Sequence, residues 1–225
     1  MTAVSKRKSN KTRQVFSCGD CASQACKSNS GRFPKFCPTL TVQDEASDSQ
    51  AIVDKINRSH KLKKISQISA EVEGVFYGKL TRVEETVEYI KRSGVKKVGI
   101  ATCMGLIAET KLLSKIFDKN GIDHYAVCCK VGGVDKGEIG IPDAHKLNRG
   151  CEHESMCNPI LQAQLLAKEK TDMNIIMGLC VGHDMMFSLH SKAPVTTLVV
   201  KDRVLAHNPV GALYTSEGIY SRFKD

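Results

Sequence analysis

Ten cysteines in 225 residues carry most of the chemistry this chain can offer. Four of them come early, as Cys18-x2-Cys21-x4-Cys26-x10-Cys37, with Pro38 next. Two thiolates three residues apart can chelate one ion through a tight turn, and Gly19 and Asp20 suit such a turn. Four thiolates suit a tetrahedral zinc or a cluster of iron and sulfur. The spacing is neither the paired CxxC of zinc ribbons nor the usual ferredoxin run, so zinc and iron–sulfur both stand. Residues 16–40 are rich in Gly, Ser, Lys and Pro and cannot build a core of their own. A metal would supply the folding free energy that the segment lacks.

The other cysteines take on meaning once the elements around them are read. Residues 97–102 (KVGIAT), 124–129 (HYAVCC), 173–179 (MNIIMGL) and 195–200 (VTTLVV) are short apolar runs expected to be strands. Helical patterns fall between them at 106–119, 158–170 and 184–191, and this alternation implies a parallel sheet with helices on its faces. Cys103 then follows the first strand, Cys128 and Cys129 end the second, and Cys180 ends the third. Open parallel sheets bind ligands beyond the carboxyl ends of their strands. Three strands thus deliver thiols to one edge, and Cys157, just ahead of Asn158-Pro159, can join the same rim. Successive strand residues face opposite ways, so one of Cys128 and Cys129 should face the rim and the other the core. The bland alternative is that these thiols are small buried hydrophobes, as free cysteines often are. Cys151 in the polar loop 150–157 is read as incidental. His183, three residues beyond Cys180, can ligate a metal, shuttle protons or cap a helix; Lys130, His190 and Lys201 are weaker candidates.

Upstream, Ile65, Ile68, Val72, Val75 and Phe76 recur at helical spacing, and a second helix is expected over 81–93. Thr81 is positioned to cap that helix, with Glu84 three residues on and Gly94 as its stop. Residues 41–60 read as a polar linker leading into a helix. The expected organisation is a basic tail (1–15), a cysteine-rich metal-binding segment (16–40), a helical connector (41–94) and an α/β domain (95–225). No internal repeat is visible.

Composition narrows the class. The net charge is +9, but Lys6, Arg7, Lys8, Lys11 and Arg13 supply five of those charges within the first 14 residues, leaving +4 on the rest. The high isoelectric point therefore describes a tail. The reading is a solubilising arm, with nucleic-acid contacts confined to weak ones through that tail. No run approaches the roughly 20 apolar residues of a membrane span, and the N-terminus lacks the apolar stretch of a signal peptide. The expectation is a soluble, cytoplasmic protein without a membrane partner. In that compartment a high cysteine count points to metal or redox chemistry rather than disulfides.

Taken together, Cys18–Pro38, ATCMGLIAE (101–109), VCCKVGGVDK (127–136), CNPILQ (157–162), GLCVGHD (178–184) and KDRVLAHNPVGAL (201–213) resemble a prokaryotic domain-of-unknown-function family. Its members are described only as uncharacterised, cysteine-rich proteins thought to bind metal. The resemblance spans nearly all of 16–214. It implies that Cys18, Cys21, Cys26 and Cys37 form one metal-type set and that Cys103, Cys128, Cys129, Cys157 and Cys180 form a rim set. Cys151, the basic tail and the end after Leu213 lie outside it. It implies no reaction.

The resulting expectation is an α/β protein with a Rossmann-like sheet that binds zinc or an iron–sulfur cluster and has a redox or sulfur-handling role. Cys18, Cys21, Cys26, Cys37, Cys103, Cys128, Cys157 and Cys180 are the candidate ligands, and His183 and Cys129 the candidate catalytic residues. Three cysteines would hold a cluster with one iron open to a small sulfur-containing or anionic substrate, while His183 moves protons. The alternative is a non-catalytic zinc module that traffics metal or contacts nucleic acid or protein. An enzyme needs His183 and the rim thiols; a module needs only the first four cysteines and the tail.

Overall fold

The computed structural model describes residues 17–28, 31–41 and 49–223. The basic residues of the tail and most of the polar stretch after Thr41 lie outside the described residues. The chain divides into two units, residues 1–67 and 68–225. The first holds α1 (Ala25–Ser28), a 3-10 turn (Pro38–Thr41), α2 (Ser49–Arg58) and the start of α3 (His60–Phe76). Its cysteine loop is closed by the Ser17 N–H donating to the Phe36 carbonyl at 3.1 Å. Ala25 and Cys37 are buried there, whereas α2 buries nothing.

The second unit begins within α3 and continues through α4 (Arg82–Ser93). Its helix start is a complete capping box. The Glu84 backbone donates to the Thr81 hydroxyl, and the Glu84 carboxylate accepts from the Thr81 N–H at 2.7 Å. Gly94 ends the helix at φ +66°, a backbone that glycine adopts without strain. Then follow β1 (Lys97–Thr102), α5 (Ile107–Lys119), β2 (Asp123–Cys128), α6 (Pro159–Lys168), β3 (Met173–Met177), α7 (His183–His190), β4 (Val195–Val199) and α8 (Val210–Tyr214).

The four strands are parallel, in the order β2-β1-β3-β4. With helices on both faces this is the expected α/β, Rossmann-like architecture. Alternation along the strands sorts the core into two layers. Val98, Ile100, Met173, Ile175 and Met177 pack with Val87 and Ile90 of α4 and Leu113 and Phe117 of α5. Ala101, Cys103, Val127, Cys129 and Ile176 pack with Ala163 and Leu166 of α6 and Phe187 of α7. The helix α4, expected within a connector, therefore belongs to the core of the sheet unit. The order also fixes a switch point: from β1 the chain winds outward to β2, then returns to place β3 on the other side. The crevice beyond β1 and β3 is where folds of this kind bind ligands. Among the described residues no helix is long and apolar enough to cross a membrane.

Candidate functional site

Cys103 leaves β1 at this switch point, with its N–H donating to the Met177 carbonyl of β3 at 3.1 Å. It opens the 3-10 turn (Met104–Leu106) that feeds α5. In the parallel register Thr102 pairs with Cys128, so the next residues, Cys103 and Cys129, emerge on the same face. The Cys129 N–H donates to the Thr102 carbonyl at 2.8 Å, and its own carbonyl accepts from the Asn158 N–H at 2.7 Å. That second bond brings in Cys157, one residue ahead of the Asn158 cap of α6. The Cys157 and Cys129 sulfurs lie 3.8 Å apart.

Gln162, fully buried on α6, locks the assembly. Its Nε2 donates to the Thr102 carbonyl at 3.1 Å and the Val127 carbonyl at 2.7 Å, tying the ends of β1 and β2 together. Its Oε1 is buried without a partner among the described residues.

The three thiols differ in charge. Cys103 is held as a thiolate, its pKa lowered to about 5, by a hydrogen bond from Cys129, the Gly105 N–H and the Lys201 ammonium. Cys157 is lowered to about 6, again chiefly by Cys129, with Lys130 and His183 assisting and the charge on Cys103 opposing. Cys129, 2% exposed, moves the other way. Its hydrogen bonds to the two neighbouring sulfurs and its burial favour the neutral thiol, although the Met104 N–H also reaches its sulfur at 3.3 Å. Cys129 is the neutral thiol beside both, and its single S–H is shared between them.

Cys180 follows β3 and accepts from Arg203 Nη2 at 3.0 Å. The Arg203 guanidinium is held more firmly charged by Cys180 first, and also by Cys103 and Cys157. His183, the first residue of α7, donates its N–H to the Cys180 carbonyl at 2.9 Å, while its Nδ1 is buried without a partner among the described residues. The Lys130 ammonium donates to the Ser155 carbonyl. Arg203 and the weight of Lys201 were not legible in the sequence. Both follow β4, whose end carries no cysteine, and strand order alone brings that end beside β3.

Cys128 is set apart. It lies on the α5 face in a cleft with Thr102, Thr110, Lys111 and Lys115, its sulfur 4.0 Å from Met104 Sδ. Alternation decides this: of the adjacent pair, Cys129 shares the face of Cys103 and Cys157, and Cys128 does not. Cys151 is exposed on the loop before Cys157.

In the first unit Cys18 and Cys26 are exposed, Cys21 is half-buried and Cys37 is buried. The Cys21 N–H donates to the Cys18 carbonyl at 3.2 Å, the tight turn expected of the x2 spacing. The Cys21 thiol is lowered by backbone N–H bonding at Gln24, then by the Ser23 hydroxyl. Among the described residues all ten cysteines are free thiols. Among the same residues no group of three or more His, Cys, Asp or Glu side chains is arranged to hold a metal ion.

The fold and this site define a Rossmann-like α/β protein with a cysteine cluster at the topological switch point. The chain belongs to the family described as "Protein of unknown function (DUF1847)", whose model matches residues 37–198. It is 49% identical over 167 residues to an uncharacterized protein, MJ0455, of Methanocaldococcus jannaschii, a match covering 74% of this chain and 83% of that protein. The family match takes in Cys37, all the rim cysteines and His183; Cys18, Cys21 and Cys26 precede it.

Proposed function

We propose that the chain works through thiolate chemistry at the sheet edge, in a redox or sulfur-handling role. The observation that supports this is the charge pattern across Cys103, Cys129 and Cys157. Thiols buried only for packing remain protonated, because burial disfavours the thiolate. Here two of three neighbouring sulfurs are driven the opposite way by Cys129 and by Lys201, Lys130 and His183. Thiolates are nucleophiles, so Cys103 and Cys157 attack electrophilic sulfur, and Cys129 supplies the proton or the second thiol. His183, its Nδ1 unpartnered among the described residues and its ring acting on Cys157, moves protons there. An excess of an aromatic disulfide added at pH 6 tests this. Cys103 and Cys157 should react rapidly, and the fast phase should lose one thiol in C103S and one in C157S. A single slow phase would count against the reading.

A second reading, a thiophilic metal centre, has one observation in its favour. Metal–sulfur bonds of about 2.3 Å in a tetrahedron put sulfurs about 3.8 Å apart, the Cys129–Cys157 separation. The donor chemistry suits zinc or an iron–sulfur cluster, but no three donors among the described residues surround a common point. As placed, the residues do not fit the group, and no step above runs through a metal. Cys18, Cys21, Cys26 and Cys37 are proposed as ligands on their spacing. Metal analysis and an absorption spectrum of anaerobically purified protein decide it: stoichiometric zinc or a brown chromophore that disappears in C157S would favour the metal centre at the rim.

A further inference from the structure

Lys201 is seated with unusual care. Its stem passes Gly178, where an added Cβ would lie 3.7 Å from Lys201 Cδ and would run into Leu106. Its head passes Gly105, where an added Cβ would lie 3.1 Å from Nζ. Those glycines stand in the loops after β3 and after β1, the two strands that flank the switch point. The ammonium is therefore threaded through a slot between them and reaches Cys103. Arg203, two residues on, gives one N–H to Cys180, and a guanidinium carries five. Lys201 thus stands beside Cys103 and Arg203 beside Cys180, and Lys130 acts on Cys157. Thiolates alone would repel an anion. This arrangement accepts one.

We propose that the site takes an oxyanion carrying a sulfane sulfur, thiosulfate being the simplest, with Lys201 and Arg203 seating the oxyanion and Cys103 accepting the sulfur. The proposal rests on the thiolate reading and names its substrate class. A phosphate monoester shares the oxyanion chemistry, but phosphoryl transfer to cysteine needs one thiol, whereas Cys129, between Cys103 and a Cys157 sulfur 3.8 Å away, suits a sulfur atom passed on from one thiol to the next. The step balances without an added oxidant or reductant. The Cys103 thiolate attacks the outer sulfur, a new S–S bond forms, the bond from that sulfur to the sulfonate breaks, and sulfite leaves with the electron pair. The products are a Cys103 persulfide anion and sulfite dianion. A bidentate Arg and a Lys on the sulfonate stabilise the charge that develops on the leaving sulfite.

The test is to incubate the full chain with thiosulfate under anaerobic conditions, remove excess reagent, and map persulfides by mass spectrometry, with cyanide release of thiocyanate as a second readout. The expected result is one added sulfur on Cys103 and a rate about 100-fold lower in R203Q, with R203K intermediate. Arg203 bonds Cys180 and acts on Cys103 only through space, so the pH midpoint of Cys103 alkylation is measured in R203Q beside sulfur loading; lost loading with that midpoint unchanged assigns the loss to oxyanion binding. Sulfur loaded equally by wild type and R203Q, loading on Cys157 alone, or hydrolysis of p-nitrophenyl phosphate without sulfur loading would each overturn the proposal. If thiosulfate fails while the two fast thiols of the disulfide assay remain, the substrate class is wrong and the thiolate reading survives; if both fail, both are wrong.

Discussion

Replacing Cys129 by Ala removes the one donor that serves both thiolates, and its effect can be worked out. Cys103 lies about 4 units below its ordinary value of 9.0, with the Cys129 hydrogen bond as the largest cause and Gly105 and Lys201 as the others. A hydrogen bond to a charged group contributes about 1.5–3 kcal/mol, which at 1.4 kcal/mol per unit is roughly 1–2 units of pKa. Cys103 in C129A should therefore titrate at up to about 6–7 rather than about 5, and Cys157 should move up by less, because one S–H is shared between the two. The assay is the pH dependence of iodoacetamide alkylation, resolved by peptide mass spectrometry. The rate at one pH is a poor readout, because a thiolate of higher pKa is intrinsically more nucleophilic, with a Brønsted slope of about 0.4–0.5. That gain offsets much of the loss in thiolate fraction. The midpoint of the profile is what should shift, with a higher plateau above it. C129S, which keeps an O–H donor, should leave the midpoints near wild type. A C129A profile with unchanged midpoints for Cys103 and Cys157 would show that Cys129 does not hold these thiolates, and the charge assignment would fail.

Other outcomes follow from the same geometry. Gln162→Leu removes both side-chain bonds that tie the ends of β1 and β2, leaving the Thr102 carbonyl only its bond from the Cys129 N–H. It should destabilise the protein by about 1–3 kcal/mol in urea denaturation; a change within error would remove Gln162 as the lock. Thr81→Ala breaks the capping box and should cost about 1 kcal/mol by the same assay, with thiol reactivity unchanged. Cys103 and Cys157 have lowered folded values, so their stabilisation is full above the unfolded value and is lost as pH falls through about 6 and about 5. The melting temperature should fall across that window by more in wild type than in C103S/C157S, and equal slopes would contradict it. Asp135, lowered to about 2 by the Glu154 and Gly137 N–H groups, anchors the loop ahead of Cys157. D135N should raise proteolytic cleavage within 136–156, and an unaltered digestion pattern would refute that anchoring.

Much of this fold was legible because its elements carry local signals. The strand Lys97–Thr102 is apolar from Val98 to Ala101 and lies between a glycine stop and a helix start, and the Thr81/Glu84 pair marks its helix without tertiary help. Ser49–Arg58 was read as a polar linker although Ile52, Val53 and Ile56 recur at helical spacing, because Ser, Gln, Asp, Lys, Asn and Arg make up most of the rest of it. Convergence of cysteines at the carboxyl edge was readable from strand ends. The choice of Cys129 over Cys128 was not, since it depends on the pairing of Thr102 with Cys128. Arg203 was invisible for a related reason: only the neighbouring of β3 and β4 sets its loop beside Cys180. Pairwise register and strand order are long-range facts, and single-strand patterns do not encode them.

The central claim is that one neutral thiol sits between two thiolates, and cysteine Cβ carbon chemical shifts report each thiol's ionisation without any reagent. In protein labelled with carbon-13 at that position and kept anaerobic, Cys103 and Cys157 should titrate near 5 and 6, and Cys129 should remain protonated up to the ordinary cysteine value of 9.0. Cys103 and Cys157 titrating near the ordinary cysteine value of 9.0, or Cys129 ionising first, would contradict the account.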